Sequence, residues 1–252
     1  YQPGDEVRAI DWTVSARRRR LFVKRYVEER ELTVLLIVDC SGSSRFGTGD
    51  RDKQAMAAEL AAVLALTATR NNDRVGLIIC SDRPEHVVPP RKGRRHALRL
   101  VRDVLAWPTS HLPTDLGAAL NYAARVLSHH ALVFVISDFV TPSIERQLRV
   151  VGQRHDLVAV VLDDPGERTL PDLGVSRLVD AESGQLIEID TSDPAVRENY
   201  DATVRAERDA RRTLLRRLAI DEVVVRTESG WAEPLLRFFN TREIRGRRIR
   251  RR

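Results

Sequence analysis

Cysteine is almost absent. Cys40 and Cys80 are the only two in 252 residues, too few for a disulfide framework. Aromatics stand at 5%, which leaves little for a base-stacking surface. The six histidines contain no His-x3-His pair of the kind a helix offers to zinc. Lysine is scarce too: of 42 Lys plus Arg, three are lysines, Lys24, Lys53 and Lys92. Long apolar runs are missing. The longest nearly uncharged stretch, Ala55 to Thr69, is broken by Glu59 and is shorter than the ~20 residues a bilayer requires. No secretory signal stands at the start, and a cytoplasmic location is expected.

What is present is an ordinary globular balance, 42% apolar and 31% charged. The 42 basic residues exceed the 36 acidic ones by six. Six arginines and no acid lie in Arg245 to Arg252, so the rest of the chain is neutral, 36 against 36. Such a tail can contact nucleic acid or another anionic surface, which is the alternative function considered for this chain. No aromatic interleaves with it, and nucleic acid is the less expected partner.

The pattern of elements points to a doubly wound α/β sheet, mostly parallel, with helices on both faces. Residues 1–30 show no clean period and read as an extended arm, with Trp12 as an anchor and Asp5, Arg8, Asp11 and Arg17 as an ion-pair lattice. Residues 31–240 form the main domain and 241–252 the basic tail. Leu32 to Val38, Arg74 to Cys80, Ala131 to Ile136 and Asp156 to Leu162 are short apolar runs of β-rich composition, as buried parallel strands require. A short edge strand is expected at His86 to Val88, stopped by Pro89-Pro90. Helices are expected over Arg51–Thr69, Arg94–Ala106, Thr114–Leu127, Ser143–Gln153 and Asp193–Leu218, the last with Val196, Tyr200, Val204, Leu214 and Leu218 as its apolar stripe. Val175 to Ile189 reads as an antiparallel excursion about Gly184. Glu222 to Thr227 reads as a last strand and Trp231 to Asn240 as a terminal helix.

One constellation carries chemistry. Asp39-Cys40-Ser41-Gly42-Ser43 follows the first strand, and Thr114 and Asp138 stand at comparable loop ends. Such loops converge at the carboxyl edge of an open sheet. Carboxylates and hydroxyls are hard donors that suit Mg²⁺ or Mn²⁺ better than zinc. Each group also has a plainer use. Asp39 to Ser43 can be a capped turn, Asp138 can cap the next helix, and Asp115 can replace a hydroxyl ligand or cap its own helix. Glu167 can approach the same edge or simply belong to a turn.

The Asp-x-Ser-x-Ser loop with Thr114 and Asp138 resembles the von Willebrand factor A domain and its metal-ion-dependent adhesion site. That resemblance implies Asp39, Ser41, Ser43, Thr114 and Asp138 as the ligands of a Mg²⁺ (or Mn²⁺) that bridges to a partner's carboxylate. A wider set of motifs is similar to the bacterial family called domain of unknown function 58. It includes Tyr1 to Asp5, Ile10-Asp11-Trp12, Glu28-Glu29-Arg30, Pro89 to Gly93, Ser137-Asp138-Phe139, Arg154-His155-Asp156 and Asp180 to Gly184. That similarity implies an adaptor or chaperone-like interaction module working with a MoxR-type AAA+ ATPase.

Enzyme readings fare worse. Gly42 to Thr48 has the glycine spacing of a phosphate loop, but Thr48 stands where its lysine belongs. Cys40 and Arg45 are one residue short of a cysteine-phosphatase loop, and Ser41 stands where a haloacid-dehalogenase phosphatase needs its second Asp. The Gly-x-Ser-x-Gly elbow of hydrolases is absent. The chain is therefore read as a non-enzyme. Metal-assisted hydrolysis, with Glu167 as its base, is the weakest reading weighed.

Overall fold

Four runs of β-branched and aliphatic residues set the architecture. In a computed structural model describing residues 10–22, 31–49, 51–108, 112–180 and 184–249 (244–249 as backbone), they become β1 (Thr33–Asp39), β2 (Arg74–Cys80), β4 (Leu132–Ser137) and β5 (Asp156–Asp163). With the edge strand β3 (Pro84–Arg91) and β8 (Asp221–Arg226) they form one sheet in the order β3-β2-β1-β4-β5-β8. Only β3 runs antiparallel. This is the doubly wound, mostly parallel sheet with helices on both faces that the sequence pattern implies.

Alternate residues of each central strand serve opposite faces, as a period of two demands. Val34, Leu36 and Val38 pack with helices α2 (Lys53–Arg70), α3 (Arg94–Leu105) and α7 (Ala232–Ile249). Leu35 and Ile37 pack on the other side with α4 (Leu116–Val126), α5 (Glu145–Arg154) and Leu215 of α6 (Pro194–Arg217). Burial on both faces explains why these strands read as unbroken apolar runs. Strand order reverses between β1 and β4, so their carboxyl ends flank the crevice where such sheets bind ligands.

The chain divides into two units, Tyr1–Glu31 and Leu32–Arg252. In the first, where an extended arm is expected, the described residues 10–22 include a short helix, α1 (Trp12–Arg18). Asp11 caps it by accepting from the N–H groups of Thr13 and Val14, both at 3.1 Å. Trp12, expected as an anchor, is the first residue of this helix. Asp5 and Arg8 of the expected ion-pair lattice lie outside the described residues.

Three further differences have local causes. β3 runs through Pro89-Pro90 instead of stopping there, because the register shifts between Val75 and Leu77 and leaves the prolines in a bulge. Pro90 packs on Gly76, where an added Cβ would come within 2.8 Å of its ring. The terminal helix does not end at Asn240 but continues to Ile249 through most of the expected tail, since arginine is a good helix former. The hairpin expected about Gly184 forms as β6 (Val175–Val179) and β7 (Leu186–Asp190), a separate two-stranded sheet.

Candidate metal centre at the carboxyl edge

β1 delivers Asp39 and β4 delivers Ser137-Asp138 to the crevice, side by side, because the two strands pair in parallel. Asp39 is buried. Its Oδ1 accepts the Ser41 N–H at 3.0 Å and its Oδ2 accepts the Ser137 hydroxyl at 2.6 Å. Ser137 Oγ in turn accepts the Phe139 N–H at 2.9 Å. Phe139 has φ +62°, a left-handed conformation that a bulky residue seldom adopts outside constrained turns. Asp138 Oδ1 accepts the Val140 N–H at 3.1 Å. One serine thus ties both carboxylate loops together.

The hydroxyls gather in the same place. Ser41 Oγ lies 3.2 Å from Ser43 Oγ, and Thr114 Oγ1 donates to Ser41 Oγ at 2.7 Å. Asp115, next to Thr114, caps α4, accepting the Ala118 N–H at 3.0 Å. Asp138 does not cap α5, whose N-cap Ile144 offers no side-chain bond. Ser43 is half-buried, whereas Asp39, Ser41, Thr114 and Asp138 are buried.

Burial pushes the Asp39 carboxyl up to about 6, and the adjacent Asp138 pushes the same way, against the bonds from Ser137 and Ser41. Two buried carboxylates in electrostatic contact call for a cation. One is supplied by a residue that sequence reasoning missed. Lys53, fully buried at the first turn of α2, donates from Nζ to Asp138 Oδ2 at 2.8 Å and to Glu167 Oε1. Burial works against the ammonium, but Asp138 and Glu167 outweigh it and hold its pKa above the ordinary lysine value. The Phe46 ring lies 5.9 Å from Nζ. The signal available in the sequence was rarity: a lysine at a helix start beside the Asp-x-Ser-x-Ser loop, in a chain that otherwise uses arginine.

Glu167 therefore does reach this edge, through Lys53. It is set there by Asp164, which is fully buried and accepts from Thr48 N and Oγ1, Gly166 N and Thr227 Oγ1 at 2.6–3.2 Å. Burial raises the Glu167 pKa, only partly offset by Lys53. Cys40 is buried and its thiol is pushed up to about 12, first by burial and then by Asp39, so it is held as an inert thiol. Among the described residues no group of three or more His, Cys, Asp or Glu side chains is arranged to hold a metal. A cation here would depend on hydroxyls beside its two carboxylates, and the donors present are of the hard type that Mg²⁺ or Mn²⁺ accepts.

Beside the site a cavity of about 570 Å³ is lined by Asp138, Glu167 and, from α6, Tyr200, Val204, Arg208 and Arg211. Tyr200 donates its hydroxyl to the Glu167 carbonyl at 3.1 Å. The expected apolar stripe of α6 is thus partly a cavity wall.

The solved structures include an aerotolerance-related membrane protein from Bacteroides fragilis, 17% identical, with a TM-score of 0.50 over 68% of this chain and 87% of that one. At that identity the likeness concerns the fold alone. Uncharacterized protein Mb1516 of Mycobacterium bovis and uncharacterized protein Rv1480 of Mycobacterium tuberculosis are each 34% identical over 246 residues, 96% of this chain and 77% of theirs. The family model described as protein of unknown function DUF58 matches residues 1–210. The chain belongs to that family.

Proposed function

We propose that the chain is a protein-interaction module that grips an acidic side chain of a partner through Mg²⁺ or Mn²⁺ held by Asp39, Ser41, Ser43, Thr114 and Asp138. The observation that carries this reading is the convergence of three hydroxyls beside two neighbouring buried carboxylates at the reversal of strand order. Bound there, the cation supplies Lewis acidity toward an incoming carboxylate. The chain's own residues set how strongly. Ser41, Ser43 and Thr114 are neutral donors, and Lys53 already draws on the charge of Asp138, so less of the cation's charge is cancelled before the partner arrives. Ser43 and Glu167 are the parts of the site that reach solvent. The partner proposed is a MoxR-type AAA+ ATPase or its client. No described helix is long and apolar enough to cross a membrane, and a cytoplasmic setting belongs to this proposal.

Isothermal titration with Mg²⁺ and Mn²⁺ tests it. Wild type is expected to bind one ion and Asp39→Ala none; equal heats from the two proteins would remove the metal. Capture of the ATPase by the immobilised chain is then expected with Mg²⁺ and not with chelator.

A further inference from the structure

α6 carries Arg205, Arg208, Arg211 and Arg212, spaced so that they fall on neighbouring positions of one helix side. Arg168, after the turn that follows β5, and Arg226, the last residue of β8, line the same cavity of about 280 Å³. Their acids are shared. Asp163 pairs with Arg168, Arg208 and Arg226, the last at 3.7 Å. Glu222 pairs with Arg211 at 3.5 Å and Arg212 at 3.7 Å. Arg205 lies 3.7 Å from Asp201, and Asp209 also lines the cavity. Among these described residues six guanidinium groups face four carboxylates, an excess of two positive charges.

Two further observations point to an absent acceptor. The Nε–H of Arg168 is buried without a hydrogen-bond partner, a costly state for a charged donor, and Arg211 Nε meets Glu222 only as a 3.5 Å ion pair without a hydrogen bond. The pKa of Arg208 is lowered, first by burial and then by Arg211, Arg226 and Arg212 crowding around it. A phosphate group answers both conditions: its oxygens accept from several guanidinium forks and its charge relieves their repulsion. Asp163 is buried and already engaged by three arginines, so it serves as their common tether.

We propose that this cavity binds a small phosphate-bearing anion through Arg168, Arg205, Arg208, Arg211, Arg212 and Arg226, at a site separate from the candidate metal centre. The inference does not rest on the proposed cation. It does adjoin that site, since Arg211 Nη1 lies 3.4 Å from the Asp138 carbonyl oxygen.

The test is isothermal titration of the full chain with pyrophosphate, and in a second arm with inorganic phosphate, at low salt and with chelator present to keep divalent ions out. One pyrophosphate is expected per chain, with affinity falling as salt rises, and inorganic phosphate, with less charge, is expected to bind more weakly. The double variant R205Q/R212Q changes the two most exposed of the six side chains and is expected to lose about tenfold or more in affinity, roughly one charge-assisted bond. Arg226→Gln, on a strand end, is expected to weaken binding as well. R247Q/R248Q/R250Q/R251Q, in the terminal basic segment, is expected to bind as wild type. No heat from wild type, undiminished affinity in both cavity variants, or loss in the terminal variant would each overturn the assignment.

Discussion

At the scale of single residues, Asp39 is where folding and the proposed function compete. Its folded pKa is about 6, against an ordinary 3.8. Between those values the unfolded chain has released the Asp39 proton while the folded chain retains it. Folding therefore takes up a proton, and stability falls as pH rises through that window, by about 3 kcal/mol at ~1.4 kcal/mol per pKa unit. Above about pH 6 the penalty is fully present. Asp39→Asn is expected to match wild type near pH 4 and to exceed it by about 2–3 kcal/mol at pH 8 in metal-free buffer, read from urea midpoints. An Asn variant no more stable at pH 8 would show that the carboxylate is not held at a cost. Lys53 has the opposite logic. Lys53→Met leaves Asp138 and Glu167 beside each other without their ammonium and is expected to cost about 3–5 kcal/mol, as removal of one partner from a buried pair does. Because the ammonium and a divalent ion would serve the same Asp138, Mg²⁺ is expected to raise the melting temperature of Lys53→Met by more than it raises that of wild type.

Between elements, the loops after β1 and β5 are locked by one close approach. A Cβ on Gly166 would fall 2.1 Å from the Thr48 Cγ2 methyl, while Thr48 Oγ1 donates to Asp164 at 2.7 Å. Gly166→Ala must therefore displace Thr48 and is expected to destabilise the chain by about 1–3 kcal/mol, the usual range for overpacking. Thr48→Ser keeps the hydroxyl and removes the methyl. In the double variant most of the loss should return, and a thermodynamic cycle over the four proteins measures that coupling. The strands were legible in the sequence because burial on both faces writes itself as an apolar run, and the donor loop because Asp, Ser and Thr stood at their ends. What was illegible had no periodic signature. The seven residues of α1 are too few to show a stripe. β3 passes two prolines only because Gly76 opposite has no side chain. Lys53 reads as a surface residue until the fold encloses it. The arginines around Asp163 vanish in a charge sum that is neutral outside the terminal basic segment and uneven in space.

For the whole molecule, two packed layers hold β1 and β4 from both sides, so Asp39 and Asp138 are fixed independently of the cation proposed there. A prearranged site has little ordering left to do on binding, and what the cation gains appears as global stability. An ion present at one hundred times its dissociation constant adds about 2.7 kcal/mol to folding. In a chain of this size that is about 5–10 °C in melting temperature, at about 2–4 °C per kcal/mol. The rise should be reversed by chelator and be absent from Asp39→Ala and Asp138→Asn. It should also shrink as pH falls through 6, where protons compete with the ion for Asp39. Thr114→Val, which removes one hydroxyl and its bond to Ser41, is expected to keep only part of it. A melting temperature that rises equally in all four proteins would place the ion's effect elsewhere on the surface and leave the convergence of hydroxyls and carboxylates as a tie between loops.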